Sequence, residues 1–185
     1  MNTFFVENEI KYTGVQLSPH WIYKNFNLQG DSIVAFIGEV DVNLSEMVDI
    51  EDVLNNEPIY SKKMLNFIIE QFNIPLEQMV YNQRLFMAII KEVLESYNVK
   101  VQRKGDDLFF GNGKLSVSIA TKSITSCLIH TGLNIIKDGA PVLASDLSEM
   151  GIKNIKEFAN KVLEAYSKEV DSIKSATYKV RGVIE

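Results

Sequence analysis

Between Gly105 and Ala120 the chain carries a carboxylate, an ammonium and two hydroxyls at spacings that a β-hairpin brings to one face: Asp107, Lys114, Ser116 and Ser118. Asn112-Gly113 lies between two apolar runs, and both residues of such a pair tolerate the positive φ of a type I′ turn. A two-residue loop there pairs Gly111 with Lys114, Phe110 with Leu115, Phe109 with Ser116, Leu108 with Val117 and Asp107 with Ser118, and paired residues share a face. One face then holds Leu108, Phe110, Leu115, Val117 and Ile119, all apolar, and reads as core. The other collects Asp107, Lys114, Ser116, Ser118 and the small Gly111 and Ala120 around Phe109. That second face is either an ordinary wet sheet face or a binding floor on which Lys114 anchors an anionic ligand. Serine and alanine, in place of the Thr, Lys or Glu of a solvated strand, suit a sheet that admits a ligand.

Two further places carry charge that needs an explanation. From Gly38 to Asn56 there is no basic residue, while Glu39, Asp41, Glu46, Asp49, Glu51 and Asp52 make this the most acidic part of the chain. Carboxylates at that density either hold a divalent cation or keep a wet loop soluble. Asp49, Glu51 and Asp52 are the metal candidates, because Met47-Val48 and Val53-Leu54 would anchor them on both sides. Gln83-Arg84 interrupts an otherwise apolar helix face, so Arg84 needs an anionic partner, an internal carboxylate or a ligand phosphate.

The elements that must position these residues follow from periodicity. Residues 10–13 alternate as a strand, and Ser18-Pro19-His20-Trp21 breaks into a loop or short helix where His20 and Trp21 line a pocket or pack. Residues 33–37 are continuously apolar, as a central strand covered on both faces would be. Met64, Leu65, Ile68, Ile69 and Phe72 fall on a helical stripe with Ser61 as N-cap and Pro75 beyond its end. A second helix runs from about residue 76 to 97, its methionines acting as core filler. Val99, Val101 and Arg103 alternate into the hairpin, and residues 124–136 read as a strand pair or one long strand bent at Gly132. Asp138-Gly139-Ala140-Pro141 is a turn, and residues 145–150 form a short helical turn closed by Gly151. Asn154 with Glu157 makes a capping box opening a helix through Ile155, Phe158, Ala159, Val162, Leu163 and Tyr166. Tyr178 and Val180 read as an edge strand guarded by Lys179 and Arg181. Strands and helices without regular βαβ alternation predict an α+β fold, a mostly antiparallel or mixed sheet packed against helices.

The whole chain sets the remaining bounds. Its 185 residues, 46% hydrophobic and 23% charged, contain no linker, repeat or charge block, so residues 1–185 read as one domain. A net charge of −5 with scattered basic residues leaves no electrostatic footprint for phosphate backbones, which argues against nucleic acid as a partner. No basic start followed by an apolar stretch, and no run of about 18 apolar residues, predicts a protein of the cytoplasm that does not cross a membrane. The single cysteine, Cys127, excludes an intrachain disulfide and reads as a small buried hydrophobe. A homodimer stays open.

Asp106-Asp107-Leu108, Gly113-Lys114-Leu115-Ser116 and His130-Thr131-Gly132-Leu133-Asn134 resemble catalytic-core segments of the biotin and lipoate protein ligase superfamily. With VDIEDV, YNQRL, SCLIHTGLNI and the terminal KVR, the full chain also resembles the domain of unknown function 366 family of archaea and bacteria. The resemblance implies a biotin/lipoate protein ligase-like, class II synthetase-like core. In that core Lys114 contacts an acyl-adenylate or acyl carbonyl, and Asp107 orients the lysine or a metal. The His130–Asn134 segment is similar to that of octanoyltransferases, which adds His130 to the catalytic set. Asn134 then joins Ser116, Ser118 and Arg84 in substrate binding. The implied ligand is a small carboxylic acid or acyl donor, with ATP and Mg²⁺ as cofactors by resemblance alone, and the implied activity is that of a ligase or acyltransferase. Two departures stand beside it: residues 1–98 hold no Arg-Arg-x-Ser-Gly-Gly-Gly loop, and Cys127 lies upstream of His130, where octanoyltransferases place their cysteine downstream. They define the alternative, a non-catalytic small-molecule-binding module that keeps the pocket and lacks the nucleotide loop.

Overall fold

β3 (Ile59–Phe72) is the strand around which the chain is built. The structure, a computed structural model, describes residues 1–56, 58–138 and 143–183. In it a five-stranded sheet runs in the order β1-β2-β3-β8-β7, from β1 (Asn2–Phe5), β2 (Ser32–Val42), β3, β7 (Ser116–Lys122) and β8 (Ser126–Ile136). β1 is parallel to β2 and the remaining pairs are antiparallel. A second sheet, β4 (Gln102–Lys104), β5 (Asp107–Phe110) and β6 (Gly113–Lys114), stands beside it. Helices α3 (Leu76–Ser96) and α4 (Ile155–Tyr178) cover one face of the large sheet, where Phe67, Phe86 and Tyr166 form successive edge-to-face contacts at 5.3 and 5.0 Å. The short α1 (Trp21–Phe26) and residues 6–12 cover the other, and α2 (Ile50–Asn55) follows a 3₁₀ turn, Leu44–Glu46, in the β2–β3 connection. This is the α+β arrangement expected, a mixed sheet against helices, and no helix among the described residues is long and apolar enough to cross a membrane.

The helical stripe expected from Ser61 to Phe72 is in fact β3. A strand covered on both faces has apolar residues at both parities, so an i, i+3, i+4 match arises by default and periodicity cannot tell it from a helix. Leu65, Phe67 and Ile69 point beneath α3 and α4, while Met64 and Ile68 enter the second core with Val34, Phe36 and Val40. Residues 33–37 lie in the first half of β2, which is interior but not central. Residues 10–13 contribute only one bridge, Tyr12 to Val40. β8 is a single strand with no break at Gly132; the Cβ space of that glycine is taken by the Met64 side chain at 2.9 Å and Val117 at 3.2 Å.

Residues 147–151 make the turn expected here, closed by Gly151 at φ +77° and held by the Asp146 carboxylate accepting from the Glu149 N–H at 2.8 Å. The expected edge strand at Tyr178 and Val180 is replaced: α4 continues to Tyr178, because no Gly or Pro interrupts residues 155–178 after its Asn154 cap, whose Oδ1 accepts from the Glu157 N–H at 3.1 Å. The turn expected at residues 138–141 falls on Gly139, Ala140 and Pro141, outside the described residues. His20 stacks on Phe72 and Trp21 packs on Phe26 and Phe36, as core neighbours.

Tyr166 is wholly buried, and its hydroxyl has no hydrogen-bond partner among the described residues. Burial, with the nearby Asp31 charge, holds this phenol far above its usual range. Removing an unsatisfied hydroxyl forfeits no bond, so Tyr166→Phe is expected to leave stability unchanged or raise it by about 1 kcal/mol in urea unfolding. A loss beyond about 1 kcal/mol would reveal a partner for the hydroxyl.

Candidate functional site

The β5–β6 hairpin turns one residue earlier than its Asn-Gly pair suggests. Phe110 pairs with Gly113 and Phe109 with Lys114, so the loop is Gly111-Asn112. Gly111, at φ +57°, is the residue that needs the left-handed backbone, and glycine at the first central position of a two-residue loop is the type II′ pattern. Lys114 therefore faces Phe109 and not Gly111. A register shift of two preserves parity, so Asp107, Phe109 and Lys114 still share the face turned away from the core. Leu108 and Leu115 are fully buried on the other face, with Phe110 packed beside them. On the outer face Lys114 Nζ lies 2.9 Å from Asp107 Oδ1, both side chains about one-third exposed (36% and 29%). The Lys104 ammonium stands 5.2 Å over the Phe109 ring on the same side.

The main chain of Lys114 is fixed from three directions. Its N–H donates to Leu143 O at 2.9 Å, and its carbonyl accepts from Ser145 N at 3.0 Å and from Asn134 Nδ2 at 3.3 Å. Asn134 also donates to Ser145 O at 3.2 Å and accepts from the Ser61 hydroxyl at 3.3 Å, so one buried carboxamide ties β8, β6, β3 and residue 145 together. Gly113 admits this packing: a Cβ there would lie 2.7 Å from the Ala144 carbonyl carbon, and Ser145 Oγ donates to Gly113 O at 3.0 Å. Asn134 thus positions Lys114 through the backbone rather than touching its ammonium.

The two serines lie elsewhere. β7 leaves the hairpin at Leu115 and joins β8, so the long two-stranded face expected from residues 107–118 does not form; the partner of residues 116–122 is a strand still to come in the chain. Ser116 is buried and its Oγ accepts from the Leu108 N–H at 2.9 Å. Ser118 bonds Thr131 Oγ1 at 2.9 Å and accepts from Gln83 Nε2 at 3.0 Å, beneath α3. The small side chains on this face make room for α3. Val117 and Ile119, expected in the same core as Leu115, point to the opposite side of the large sheet with Gly132 and His130.

Arg84 has an internal partner, Asp106 Oδ1 at 2.5 Å, and Gln83 Nε2 reaches Asp106 Oδ2 at 3.1 Å. The Asp106-Asp107 dipeptide therefore sends one carboxylate to α3, from the turn between β4 and β5, and the other to Lys114, from the first residue of β5. Asp49 is the N-cap of α2, accepting from Glu51 N at 2.9 Å and Asp52 N at 3.4 Å. Among the described residues no three of His, Cys, Asp and Glu converge as a metal site, at Asp49 and Glu51 or elsewhere.

His130 is buried on the face opposite the helices, stacked on Tyr12 at 3.7 Å between ring centroids, with Nε2 2.9 Å from Asn66 Oδ1. Asn66 Nδ2 donates to Met64 O, which leaves its Oδ1 as acceptor and puts the histidine proton on Nε2. Burial pushes His130 down to about 3, so the ring is neutral near neutral pH, and neither of these contacts reaches Lys114 or Asp107. Cys127 is buried, donating to Ile74 O at 3.3 Å, and burial raises its thiol. Tyr12 and Asn66 escape a reading by periodicity, although a lone Asn within the apolar run 64–69 is the kind of buried polar group that demands a partner.

A family model described as a domain of unknown function (DUF366) matches residues 1–181. An uncharacterised protein of Methanocaldococcus jannaschii is 41% identical over 179 residues, spanning 94% of this chain and 81% of that one. Among solved structures, a protein of unknown function from Pyrococcus horikoshi superposes with a TM-score of 0.95 at 36% identity, covering 99% of both chains. A candidate lipoate protein ligase from T. acidophilum with bound lipoic acid superposes at 0.64 with 13% identity, over 92% of this chain and 86% of that one. Biotin protein ligase from Aquifex aeolicus in complex with biotin and ATP does so at 0.62 with 16% identity, over 94% and 72%. The two ligands belong to those proteins; the likeness to them is one of fold.

Proposed function

The chain belongs to the DUF366 family, and from a member with the fold of biotin and lipoate protein ligases we propose an enzyme that binds the thioester of a small carboxylic acid, its acyl donor, at the Lys114–Asp107 pair and transfers the acyl group to an amine. The observation that carries this reading is the pair itself: an ammonium 2.9 Å from a carboxylate, part-exposed, on a main chain locked by Asn134 and Ser145. A preorganised cation stabilises charge that develops on a carbonyl oxygen better than a mobile one, because no reorganisation is needed as the charge forms. In the proposed step the amine attacks the acyl carbon, the C–N bond forms, Lys114 holds the oxyanion, and the thiolate of a thioester donor leaves. Asp107, released from Lys114 by the incoming oxygen, takes the proton of the attacking amine and passes it to the leaving sulfur.

ATP, which the fold family implies, finds no Arg- and Gly-rich loop in residues 1–98, and the β2–β3 connection within them offers it no cation. That connection leads into Ser61 and so into the Ser61–Asn134–Lys114 link, yet it carries Glu46, Asp49, Glu51 and Asp52 with no cation, and the α2 N-terminus is filled by Asp49. No step is routed through a nucleotide. A second reading, binding without turnover, is favoured by the burial of His130 and Cys127, which leaves Lys114 without a nucleophile among its described contacts.

The test is thermal shift against fatty, biotinyl and lipoyl acids and their thioesters, followed by acyl transfer to an amine and by ATP–pyrophosphate exchange. A ligand at about 100 times its Kd adds roughly 2.7 kcal/mol, a visible shift. Lys114→Ala is expected to keep the fold and weaken that ligand by about 1.5–3 kcal/mol, as loss of a charged hydrogen bond does. Binding without acyl transfer selects the second reading, and binding unchanged in Lys114→Ala removes both.

A further inference from the structure

At the other end of the central strand from the Asn134–Lys114 link, roughly 23 Å along β3 at about 3.3 Å per residue, a cavity of about 400 Å³ opens between the end of β3, the start of α3 and the last turns of α4. Gln71, Gln78, Asn82, Asp31, Lys174 and Ile173 are among the residues lining it. Gln71 is 96% buried, its Oε1 accepting from Asn82 Nδ2 at 2.8 Å, and its own Nε2 has no partner among the described residues. The two carboxamides are thus bonded to each other, which leaves a donor, Gln71 Nε2, and an acceptor, Asn82 Oδ1, without a protein partner among the described residues. The charges in the wall are already matched: Asp31 Oδ2 holds Lys174 Nζ at 2.9 Å and Asp31 Oδ1 accepts from the Phe72 N–H at 2.9 Å. Nothing in that wall selects an anion. Ile74, Val170 and Ile173 supply apolar surface for the faces of a ring.

We propose that this cavity binds a small uncharged heterocycle whose edge carries an acceptor beside a donor N–H, the edge of a nucleobase, taken free or as its nucleoside. The ligand acceptor receives the Gln71 amide protons and the ligand N–H donates to Asn82 Oδ1. The volume lies within the roughly 300–1,000 Å³ of small-molecule sites. The site shares no residue with the Lys114–Asp107 pair and stands or falls apart from it.

Isothermal titration of the full chain with uracil, hypoxanthine and adenine, each also as its nucleoside, and with benzoate as a flat anion, tests it. At least one base is expected to saturate the protein at millimolar concentration while benzoate does not. Gln71→Leu keeps the volume and removes the donor, and it is expected to weaken the base on the order of tenfold or more, because a site that reads a polar edge loses most when that edge is unpaired. Ile173 is 43% exposed on α4, so Ile173→Trp fills the mouth with the fold intact and is expected to abolish binding, while Lys114→Ala leaves it unchanged. Should Gln71→Leu fail to fold, Ile173→Trp decides alone. No base binding at all, binding unaltered in Ile173→Trp, or benzoate binding as well as the bases each overturns the proposal.

Discussion

Leu115→Ala is expected to lower the free energy of unfolding by about 2–5 kcal/mol, whereas Lys114→Ala, one residue earlier, lowers it by no more than about 1 kcal/mol. The contrast follows from the hairpin. Leu115 is fully buried in the core under α3 and α4, while its N–H and C=O are spent on Leu108 O and Asn134 N, so truncation empties a cavity that the fixed backbone cannot collapse around. Lys114 and Asp107 attract each other in partly solvated surroundings, where screening leaves an ion pair worth little. Urea unfolding of both variants measures the difference. An unfolding Lys114→Ala beside a harmless Leu115→Ala would put the ion pair in the core and Leu115 on the surface, reversing the two faces.

What could be read from residues alone was local alternation. Asp107 and Lys114 share a face because parity survives a register shift of two, and Leu108 and Leu115 are core for the same reason. The capping box at Asn154 and the apolar stripe of α3 depend on spacings within a few residues, and both stand. The identity of a strand's partner depends on residues far away, and the long serine-lined floor failed on it: β7 pairs with β8, which turns Ser116 and Ser118 beneath α3. β3 was hidden for a related reason, since only the burial of both its faces explains its composition. Asn134 was legible as part of a familiar segment, but its action through the carbonyl of Lys114 needs the close approach of residues 144–145, a contact no periodicity encodes. Arg84 announced its need for an anion, and Asp106, already visible beside Asp107, answers it.

The remaining large effect is a pH dependence centred on His130. The folded chain holds this imidazole at about 3, because burial disfavours its charged form, while the unfolded chain returns it to about 6.5. Below pH 6.5 the unfolded state therefore binds a proton that the folded state refuses, so stability falls as pH falls, through the window from about 6.5 to about 3. At about 1.4 kcal/mol per pH unit, the loss between pH 7 and pH 5 is about 2 kcal/mol. In that interval unperturbed side chains other than histidine hardly titrate, which isolates the effect. His130→Gln keeps a donor for Asn66 Oδ1 without a titrating ring, and it is expected to unfold in urea with a much flatter dependence between pH 5 and 7 than the parent chain. Equal slopes for the two proteins would mean that the folded chain protonates His130 freely. The ring would then be open to solvent rather than sealed between Tyr12 and Asn66, and available for acid–base work that the buried arrangement denies it.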